Sequence, residues 1–320
     1  MNVFISPSGN IDNEYLHITN NIISDICGVR VKGINCLKFY NIFERKRNCA
    51  ILNWYEDSVF DRRSIKYRWS LFFIFILKVL YIKSLCSKVI YIKHNYKPHG
   101  SQSGSLIFSL SKYLIEKMAS KKVAHTDNID GFDFVPHPLY LNDEDFLGAL
   151  NNICERSVDY FIFGTVSRYK KLHKLLNEWP ENIALTIWGK CNDTELEQEI
   201  CKIICERALS VTWRNEFIDI KELNSKLLTC KHVIVNNDDS TMIASGVFYH
   251  AISFGCNVLV NKSAFSYFAK KKHGNICAEY TVNNLESVLK INNFHSVDSS
   301  VLDISGRQSL AKKWAEMIFK

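Results

Sequence analysis

Apolar and polar positions follow two distinct patterns along this chain. Short apolar runs rich in β-branched residues predict buried strands. The clearest are NVFISP (2–7), AILNWYE (50–56), KVIYIKHN (88–95), VDYFIFG (158–164), IALTIWG (183–189), HVIVN (232–236) and NVLVN (257–261). Longer stretches with apolar residues three and four positions apart predict helices between them, as at 102–119 and 193–208. Strands that alternate with helices at this spacing form parallel sheets from right-handed βαβ units.

Two such series follow one another and meet near residue 150, where the polar stretch LNDEDFLGALNN (141–152) is interpreted as a link. We therefore predict an α/β protein of two doubly wound, Rossmann-like domains that face each other across a cleft. Residues 1–148 would form the first domain and 149–303 the second. A last amphipathic segment, within 304–320, predicts a terminal helix.

Charge is distributed unevenly over the 320 residues. The net charge is +7, yet residues 28–122 hold 19 Lys and Arg against five Asp and Glu, so the remainder is acidic. Such asymmetry predicts a partner for the basic part. Anionic lipid headgroups, a polyanionic substrate and nucleic acid all satisfy it, although no nucleic-acid-binding motif is recognisable there.

A basic stretch precedes the most apolar segment of the chain. Arg62, Arg63, Lys66 and Arg68 come just before WSLFFIFIL (69–77), which is too short to span a bilayer. A basic run followed by an aromatic-rich helix fits a segment that lies on an anionic membrane surface. A buried helix that follows a solvent-exposed basic segment explains the same pattern, and both interpretations stay open.

The eleven cysteines form no CxxC pair and have no ligand cluster beside them, so we expect ordinary thiols, no metal and no cofactor. No signal-peptide pattern opens the sequence, which predicts a protein of the reducing cytoplasm.

One candidate anion site lies after the strand HVIVN. A helix that begins at Ser245 and Gly246 would present free backbone N–H groups and a positive dipole end at the carboxyl edge of the sheet. Gly246 lets a ligand approach closely, which suits a diphosphate. Gly164, at the end of another strand, is followed by Arg168 and Lys170, whose cations could meet the same phosphates.

The order of these parts resembles the C-terminal domain of GT-B fold glycosyltransferases. The resemblance covers residues 158–280 through FIFGTVSRYKKLHKLL, IALTIWG, IDIKELNSKLLTCKHVIVN and ASGVFYHAISFGCNVLV. It implies a nucleotide-sugar donor site in the second domain, and it implies that the closing helix LAKKWAEMI crosses back to the first domain.

The chain departs from that family at two positions. Retaining members commonly carry two glutamates eight positions apart, where this sequence has Met242 and His250. His250 could replace the second glutamate by hydrogen bonding to the donor ribose. The absent carboxylates put a standard retaining mechanism in doubt and favour inversion.

The first half resembles bacterial exopolysaccharide and O-antigen transferases through LNWYED and YIKHNYKPH. Both stretches end predicted strands, so both should border the cleft. The attacking acceptor hydroxyl needs a base within hydrogen-bond reach. The candidates are Glu56, Asp57, His94, His99 and Asp127.

The resemblance implies a metal-independent glycosyltransferase that moves a sugar from a nucleotide-diphosphate donor to a lipid-linked saccharide. We expect a role in surface polysaccharide assembly, at the inner face of the cytoplasmic membrane. Two alternatives remain at this point: a nucleotide-sugar epimerase of the same fold, and a non-catalytic nucleotide-sugar-binding subunit of an assembly complex.

Overall fold

The computed structural model describes residues 1–8, 13–59, 65–96, 106–151, 155–236, 242–291 and 293–320, apart from the side chains of 65–67. Contacts divide the chain into two units. Unit 1 comprises Met1–Pro138 together with Arg307–Lys320, and unit 2 comprises Leu139–Gly306.

The strands are β1 Asn2–Ser6, β2 Arg30–Gly33, β3 Asn48–Asn53, β4 Lys88–Lys93, β5 Lys121–Ala124, β6 Asp133–Phe134, β7 Val158–Phe163, β8 Leu185–Trp188, β9 Val211–Arg214, β10 Cys230–Val235, β11 Asn257–Asn261 and β12 Cys277–Tyr280. The helices are α1 Glu14–Ser24, α2 Ile65–Leu85, α3 Leu106–Met118, α4 Asp143–Asn151, α5 Leu172–Asn177, α6 Thr194–Glu206, α7 Ile220–Leu228, α8 Gly246–Ser253, α9 Ala264–His273, α10 Leu285–Ile291, α11 Val301–Ser305 and α12 Arg307–Phe319.

Unit 1 is built on a six-stranded parallel sheet in the order β2-β1-β3-β4-β5-β6. Its central strands β3 and β4 are buried on both faces, which explains their nearly continuous apolar sequences. Helix α12 packs against α1 within this unit. Strand β2 lies at an edge and alternates exposed with half-buried residues, so its short sequence RVKG carries little strand signal.

Unit 2 is built on a second six-stranded parallel sheet, in the order β12-β11-β10-β7-β8-β9. Counted within the unit, this is the order 6-5-4-1-2-3 of a doubly wound dinucleotide-type fold. Trp179, Leu185 and Ile200 belong to the apolar core on one side of the sheet. Both sheets confirm the predicted α/β class with doubly wound topology.

The polar stretch after Pro138 differs from the prediction, because most of it forms helix α4. Asn142 caps this helix: its Oδ1 accepts from the Asp145 amide at 2.7 Å. Acidic residues fill the first turn, where they complement the helix dipole. Phe146 is the buried anchor of α4. Its single buried aromatic residue left too weak an apolar periodicity to reveal a helix.

Helix α2 is apolar on almost every side. Phe75, Val79 and Ile82 face the core of unit 1, whereas Phe73 and Leu77 are 63% and 66% exposed. One face of α2 therefore belongs to the core, the other is apolar and exposed, and docking on a membrane surface stays a prediction. None of the helices in the described ranges combines the length and the apolar character needed to cross a bilayer.

Candidate functional site

A parallel doubly wound sheet has a crevice where neighbouring strands send their connections to opposite sides. In unit 2 this switch point lies between β7 and β10, which pair side by side. A small cavity of about 30 Å³ opens there. It is lined by Gly164 and Thr165 after β7, by Asn236 after β10, and by Lys170 and Val247. Gly164 and Lys170, which the sequence singled out, therefore line the same cavity as Val247, the residue that follows Ser245 and Gly246.

Gly164 and Lys170 form the cationic wall of this cavity. Gly164 has φ +91°, in the region that favours glycine, and its amide donates to the Trp188 carbonyl at 3.0 Å. A Cβ at Gly164 would lie 3.6 Å from Lys170 Nζ, so the ammonium sits directly over the glycine. Burial lowers the pKa of Lys170 to about 8. Within the described ranges, the ammonium has no hydrogen-bond or ion-pair partner, which leaves it available to an anion.

Asn236 holds the loop that carries Lys170. Its Nδ2 donates to the carbonyl oxygens of Lys170 at 2.9 Å and Lys171 at 3.1 Å. Its Oδ1 accepts from the Tyr280 hydroxyl at 3.0 Å. Lys171 has φ +52°, a left-handed conformation that is costly for a residue with a Cβ. Asn236 therefore stabilises a strained turn and orients the lysine next to it.

Helix α8 contributes the second positive feature. Ser245 caps it, since its side chain accepts from the Phe248 amide at 3.3 Å. The first turn leaves the amides of Gly246 and Val247 without intrahelical acceptors. A Cβ at Gly246 would come within 2.7 Å of Tyr140 Oη, so glycine accommodates a close tyrosine. Val247, in the first turn, lines the cavity, so the positive end of the helix dipole lies beside it.

His250 lies one turn farther along α8 and is buried. Its ring stacks on Tyr140 with centroids 4.3 Å apart, and Nε2 donates to Asn224 Oδ1 at 2.8 Å. Burial lowers its pKa to about 4, so the imidazole is neutral at physiological pH. A neutral imidazole carries one donor and one acceptor nitrogen, and here the donor is used by Asn224. The other position at which the sequence lacks a glutamate, Met242, is buried.

Arg168 has a different environment from Lys170. Its guanidinium is half exposed and pairs with three carboxylates of the α6 region: Asp193 at 2.8 Å, Glu195 at 3.2 Å and Glu199 at 3.4 Å. A ligand phosphate would have to displace one of these carboxylates to reach it.

Unit 1 has its own switch point, between β1 and β3, which pair in parallel. Asn53, the last residue of β3, donates through Nδ2 to the Ser6 carbonyl at 2.9 Å and so ties the two strand ends together. A cavity of about 600 Å³ opens at these ends. Its volume lies within the range of small-molecule binding sites.

Glu56 and Asp57 lie in a 3₁₀ turn, Tyr55–Val59, directly after β3. Glu56 is 2% exposed and its Oε1 accepts from the Tyr91 hydroxyl at 2.7 Å, while Oε2 accepts no hydrogen bond from the described residues. Burial raises the pKa of Glu56 to about 7. Asp57 is partly exposed, and burial raises its pKa to about 6. Two carboxyl groups with elevated pKa values thus occur at this strand end.

His94 follows β4 and is buried. It stacks on Trp54, with ring centroids 3.8 Å apart, and Nε2 donates to Asn53 Oδ1 at 3.0 Å. Burial lowers its pKa well below the ordinary value, with further lowering from His125 and His137. His94 therefore positions the end of β3, and its imidazole is a weak base.

The structure describes only some of the other residues that the sequence singled out in unit 1. Arg62, Arg63 and His99 lie outside the described ranges, and Lys66 is described only through the backbone of α2. Arg68 lies half-buried on α2. Asp127 is exposed after β5.

Sequence reasoning missed Asn236 as a functional residue. The available signal was a polar amide that ends an apolar strand directly before a glycine-containing helix start. Lys78 and Tyr81, both exposed on α2, line a cavity of unit 1, and the sequence pattern gave no sign of this because a strand end far away in the chain forms the opposite wall.

Comparison with protein-family models finds no match, and comparison with curated proteins finds none. Solved structures do match. The chain is similar to HepE from Anabaena, solved with UDP and glucose, over 99% of this chain and 98% of that one, with 12% identity and a TM-score of 0.62. It is similar to WaaB, a lipopolysaccharide outer core galactosyltransferase, over 100% and 99%, with 12% identity and a TM-score of 0.60.

It is also similar to TarM, with 11% identity and a TM-score of 0.59 over 88% of this chain, which spans 58% of the length of TarM. Since about nine residues in ten differ, these similarities concern the fold. They confirm the predicted GT-B type of α/β architecture, with two Rossmann-like units in one chain.

Proposed function

We propose that this protein is a glycosyltransferase that moves a sugar from a nucleotide-diphosphate donor to a hydroxyl of a lipid-linked saccharide. The observation that carries the proposal is the ammonium of Lys170, which has no partner among the described residues and lies at the β7/β10 switch point beside the start of α8. The proposed reaction releases a nucleoside diphosphate, so the site has to stabilise negative charge that grows as the bond to the sugar breaks.

Unit 2 would bind the donor. Lys170 and the amides of Gly246 and Val247 would bind the diphosphate, because a desolvated cation and a helix N-terminus both favour anions. Ser245 holds the helix start in place. His250 would hydrogen-bond the donor ribose through its neutral ring. Arg168 would contribute after exchanging one of its carboxylate partners. HepE, which shares the fold, was solved with UDP and glucose.

Unit 1 would bind the acceptor and supply the base. Glu56, Asp57 and His94 are the candidate bases whose pKa values are shifted. Of these, Asp57 combines partial exposure with a pKa of about 6, near the value at which a general base is effective at neutral pH. Glu56 is fully buried and held by Tyr91, so its contribution would be to position Asp57. His94 would hold the strand end through Asn53.

The acceptor and the location follow from charge. The basic excess in residues 28–122 includes Arg62 and Arg63, which precede helix α2, together with Lys66 and Arg68 in the first turn of that helix. Cations beside exposed aromatic and aliphatic side chains suit an anionic bilayer surface. We therefore place the protein at the inner face of the cytoplasmic membrane, in surface polysaccharide assembly such as that of O-antigen. No metal and no cofactor is part of this proposal.

The donor half of the proposal is tested by binding. UDP-glucose, UDP-galactose, UDP-N-acetylglucosamine and GDP-mannose are titrated against the full chain by calorimetry, and nucleoside diphosphate release is followed with each. At least one donor should bind, and Lys170→Ala should lower the affinity for that donor by about tenfold or more, as expected for a charge-assisted contact.

Lys174→Ala is the matched control, because Lys174 is an exposed lysine one turn farther along, on α5. It should leave the affinity unchanged. If no nucleotide sugar binds, or if both variants weaken binding equally, the donor assignment is wrong. Binding without any release of nucleoside diphosphate in the presence of acceptor would indicate a non-catalytic subunit.

The membrane half is tested separately by co-sedimentation with phosphatidylglycerol vesicles. Reversal of Arg62, Arg63, Lys66 and Arg68 to glutamate should abolish sedimentation and leave donor affinity unchanged. Equal sedimentation with neutral phosphatidylcholine vesicles would contradict the charge argument.

A further inference from the structure

The cavity of unit 1 lies at the point where a doubly wound sheet ordinarily binds its ligand. Its walls come from Ser6 to Ser8 after β1 and from Asn53 to Tyr55 after β3, the two strands that flank the switch point. The segment after β2 and one face of α2 complete it. With a volume of about 600 Å³ it is large enough for a substantial ligand.

The described lining of this cavity has a distinctive chemistry. Aromatic and aliphatic side chains dominate it, and the polar ones are neutral apart from a single cation. The lining residues are Ser6, Pro7, Ser8, Ile34, Asn35, Leu37, Asn53, Trp54, Tyr55, Ser58, Lys78, Tyr81 and Ile82. The Lys78 ammonium has no ion-pair or hydrogen-bond partner in the described part of the chain. The described walls are thus mostly apolar and carry one positive charge without a described partner, which complements an amphipathic anion.

Backbone strain marks the same place. Trp54 has φ +47°, a left-handed conformation that is unusual for a bulky residue. This conformation turns its ring onto His94 and places the residue at the edge of the cavity. Strain of this kind is concentrated at binding and catalytic sites.

The cavity continues onto an exposed apolar surface. Lys78 and Tyr81 line the cavity from α2, and Phe73, Leu77 and Leu80 on the same helix are exposed. The segment Phe39–Arg47 packs against α2, and the Tyr81 hydroxyl donates to the Leu37 carbonyl at 3.4 Å. This segment adds Phe43, which is 91% exposed, and the basic residues Arg45, Lys46 and Arg47. A hydrocarbon chain leaving the cavity would find apolar side chains beside it and cations around it.

We propose that this cavity binds the phosphate end of a long-chain lipid phosphate, with the phosphate at Lys78 and the first part of the hydrocarbon chain against Trp54, Leu37 and Ile82. The role of this lipid as the carrier of the acceptor saccharide rests on the proposed glycosyl transfer. The binding site itself rests on the cavity and its chemistry.

Recognition would use both ends of such a ligand. Each methylene that enters the cavity removes apolar surface from water and should strengthen binding by about fourfold. The phosphate should add about tenfold through its charge-assisted contact with Lys78. Neither inorganic phosphate nor a neutral alcohol of the same chain length would have both contributions.

The test uses hexyl, octyl and decyl phosphate below their critical micelle concentrations, titrated calorimetrically against the full chain. Inorganic phosphate and decanol are the comparison ligands. Affinity should rise along the alkyl phosphate series and exceed that of both comparison ligands. Lys78→Gln should lower the affinity for decyl phosphate by about tenfold. The matched control is Lys117→Gln, on α3 and outside the cavity lining, which should have no effect.

A second pair of variants separates the cavity from the exposed surface of α2. Ser58→Trp places a large side chain at an exposed position of the lining and should block decyl phosphate. Ser84→Trp, on α2 outside the lining, should not. If both variants bind normally, the ligand lies on the surface and the proposal is overturned. Equal affinity for inorganic phosphate, or for decanol, overturns it as well.

The same variants distinguish this inference from the proposed function. Lys78→Gln should bind nucleotide sugars normally, and Lys170→Ala should bind decyl phosphate normally. If decyl phosphate binds as expected and no nucleotide sugar does, the lipid phosphate site stands and the glycosyltransferase assignment fails. If nucleotide sugars bind and turn over while decyl phosphate does not bind, the lipid phosphate site alone is wrong.

Discussion

The side-chain amide of Asn236 donates to the main-chain carbonyl of Lys170 at 2.9 Å. One residue after a central strand thereby fixes the loop that carries Lys170, the cation of the proposed donor site. The same amide bonds to the carbonyl of Lys171, whose backbone is left-handed. The position of the cation is therefore a property of the sheet and does not depend on the loop sequence alone.

Asn236→Ala should weaken nucleotide-sugar binding although Asn236 supplies no charge. Removal of the amide leaves two carbonyl oxygens and the Tyr280 hydroxyl without their partner. The free energy of unfolding should fall by about 1–3 kcal/mol. The control is Tyr280→Phe, which removes one hydrogen bond and keeps both contacts to the loop. Urea unfolding and donor titration measure the two effects, and equal donor affinity in both variants would contradict the role of Asn236.

Asp57→Asn should reduce turnover by about 10²–10⁴ with little change in donor affinity, because removal of a general base acts on the chemical step. The pKa of about 6 predicts that kcat rises with pH through that value in the wild type. Steady-state kinetics from pH 5 to pH 8 measure this rise. A larger loss in Glu56→Gln than in Asp57→Asn would transfer the role of base to Glu56.

Glu56→Gln should stabilise the protein above neutral pH. Burial raises the pKa of Glu56 in the folded state from about 4.5 to about 7, so the folded state holds the proton more tightly than the unfolded state. The contribution of this group to stability therefore falls as pH rises from 4.5 through 7. Glutamine can still accept from Tyr91 and carries no charge. The variant should exceed the wild type by on the order of 2 kcal/mol at pH 8 and match it near pH 4.5, as measured by urea unfolding.

Acid should destabilise unit 1 through its buried histidines. Burial lowers the pKa of His125 to about 4 and that of His137 to about 3, from 6.5. Each neutral histidine therefore contributes to the free energy of unfolding, fully above pH 6.5. The contribution is lost as pH falls from 6.5 towards the lowered pKa, because the unfolded state takes up protons first. His125 alone should account for on the order of 2–3 kcal/mol.

His125→Gln isolates that effect. Glutamine can accept from the Tyr15 hydroxyl and donate to the Val135 carbonyl, which His125 contacts at 2.9 Å and 2.7 Å. The variant should lose less stability than the wild type between pH 7 and pH 4.5. Identical slopes in urea unfolding series would show that His125 does not titrate with a lowered pKa.

Ala208→Gly should raise the free energy of unfolding by about 1 kcal/mol. Ala208 follows the end of α6 with φ +48°, and the Leu209 amide closes the helix by donating to Ile204 at 3.0 Å. Glycine adopts this left-handed conformation without steric cost. Ala315→Gly, inside α12, is the opposing control and should lower the free energy of unfolding by a similar amount. Chemical unfolding of both variants checks the pair.

Much of the fold could be predicted because buried parallel strands are apolar along most of their length. Strands such as β3, β4 and β10 are distinct for that reason. Edge strand β2 and helix α4 were not predicted, since each buries only a few side chains and so lacks a clear periodic pattern of apolar residues. Gly164, Ser245 and Gly246 could be chosen from sequence because strand ends and helix starts carry local signals.

The chain by itself determined where its strands and helices alternate, which strand ends carry glycine, and where basic residues concentrate, because these follow from local periodicity and composition. Only the tertiary structure decided that Lys170 has no partner among the described residues while Arg168 is bound by carboxylates, since pairing depends on which helix lies alongside. The same holds for the cavity at Lys78, whose walls come from four segments distant in sequence. Contacts of this kind form when sheet order places strand ends side by side, and no local pattern encodes them.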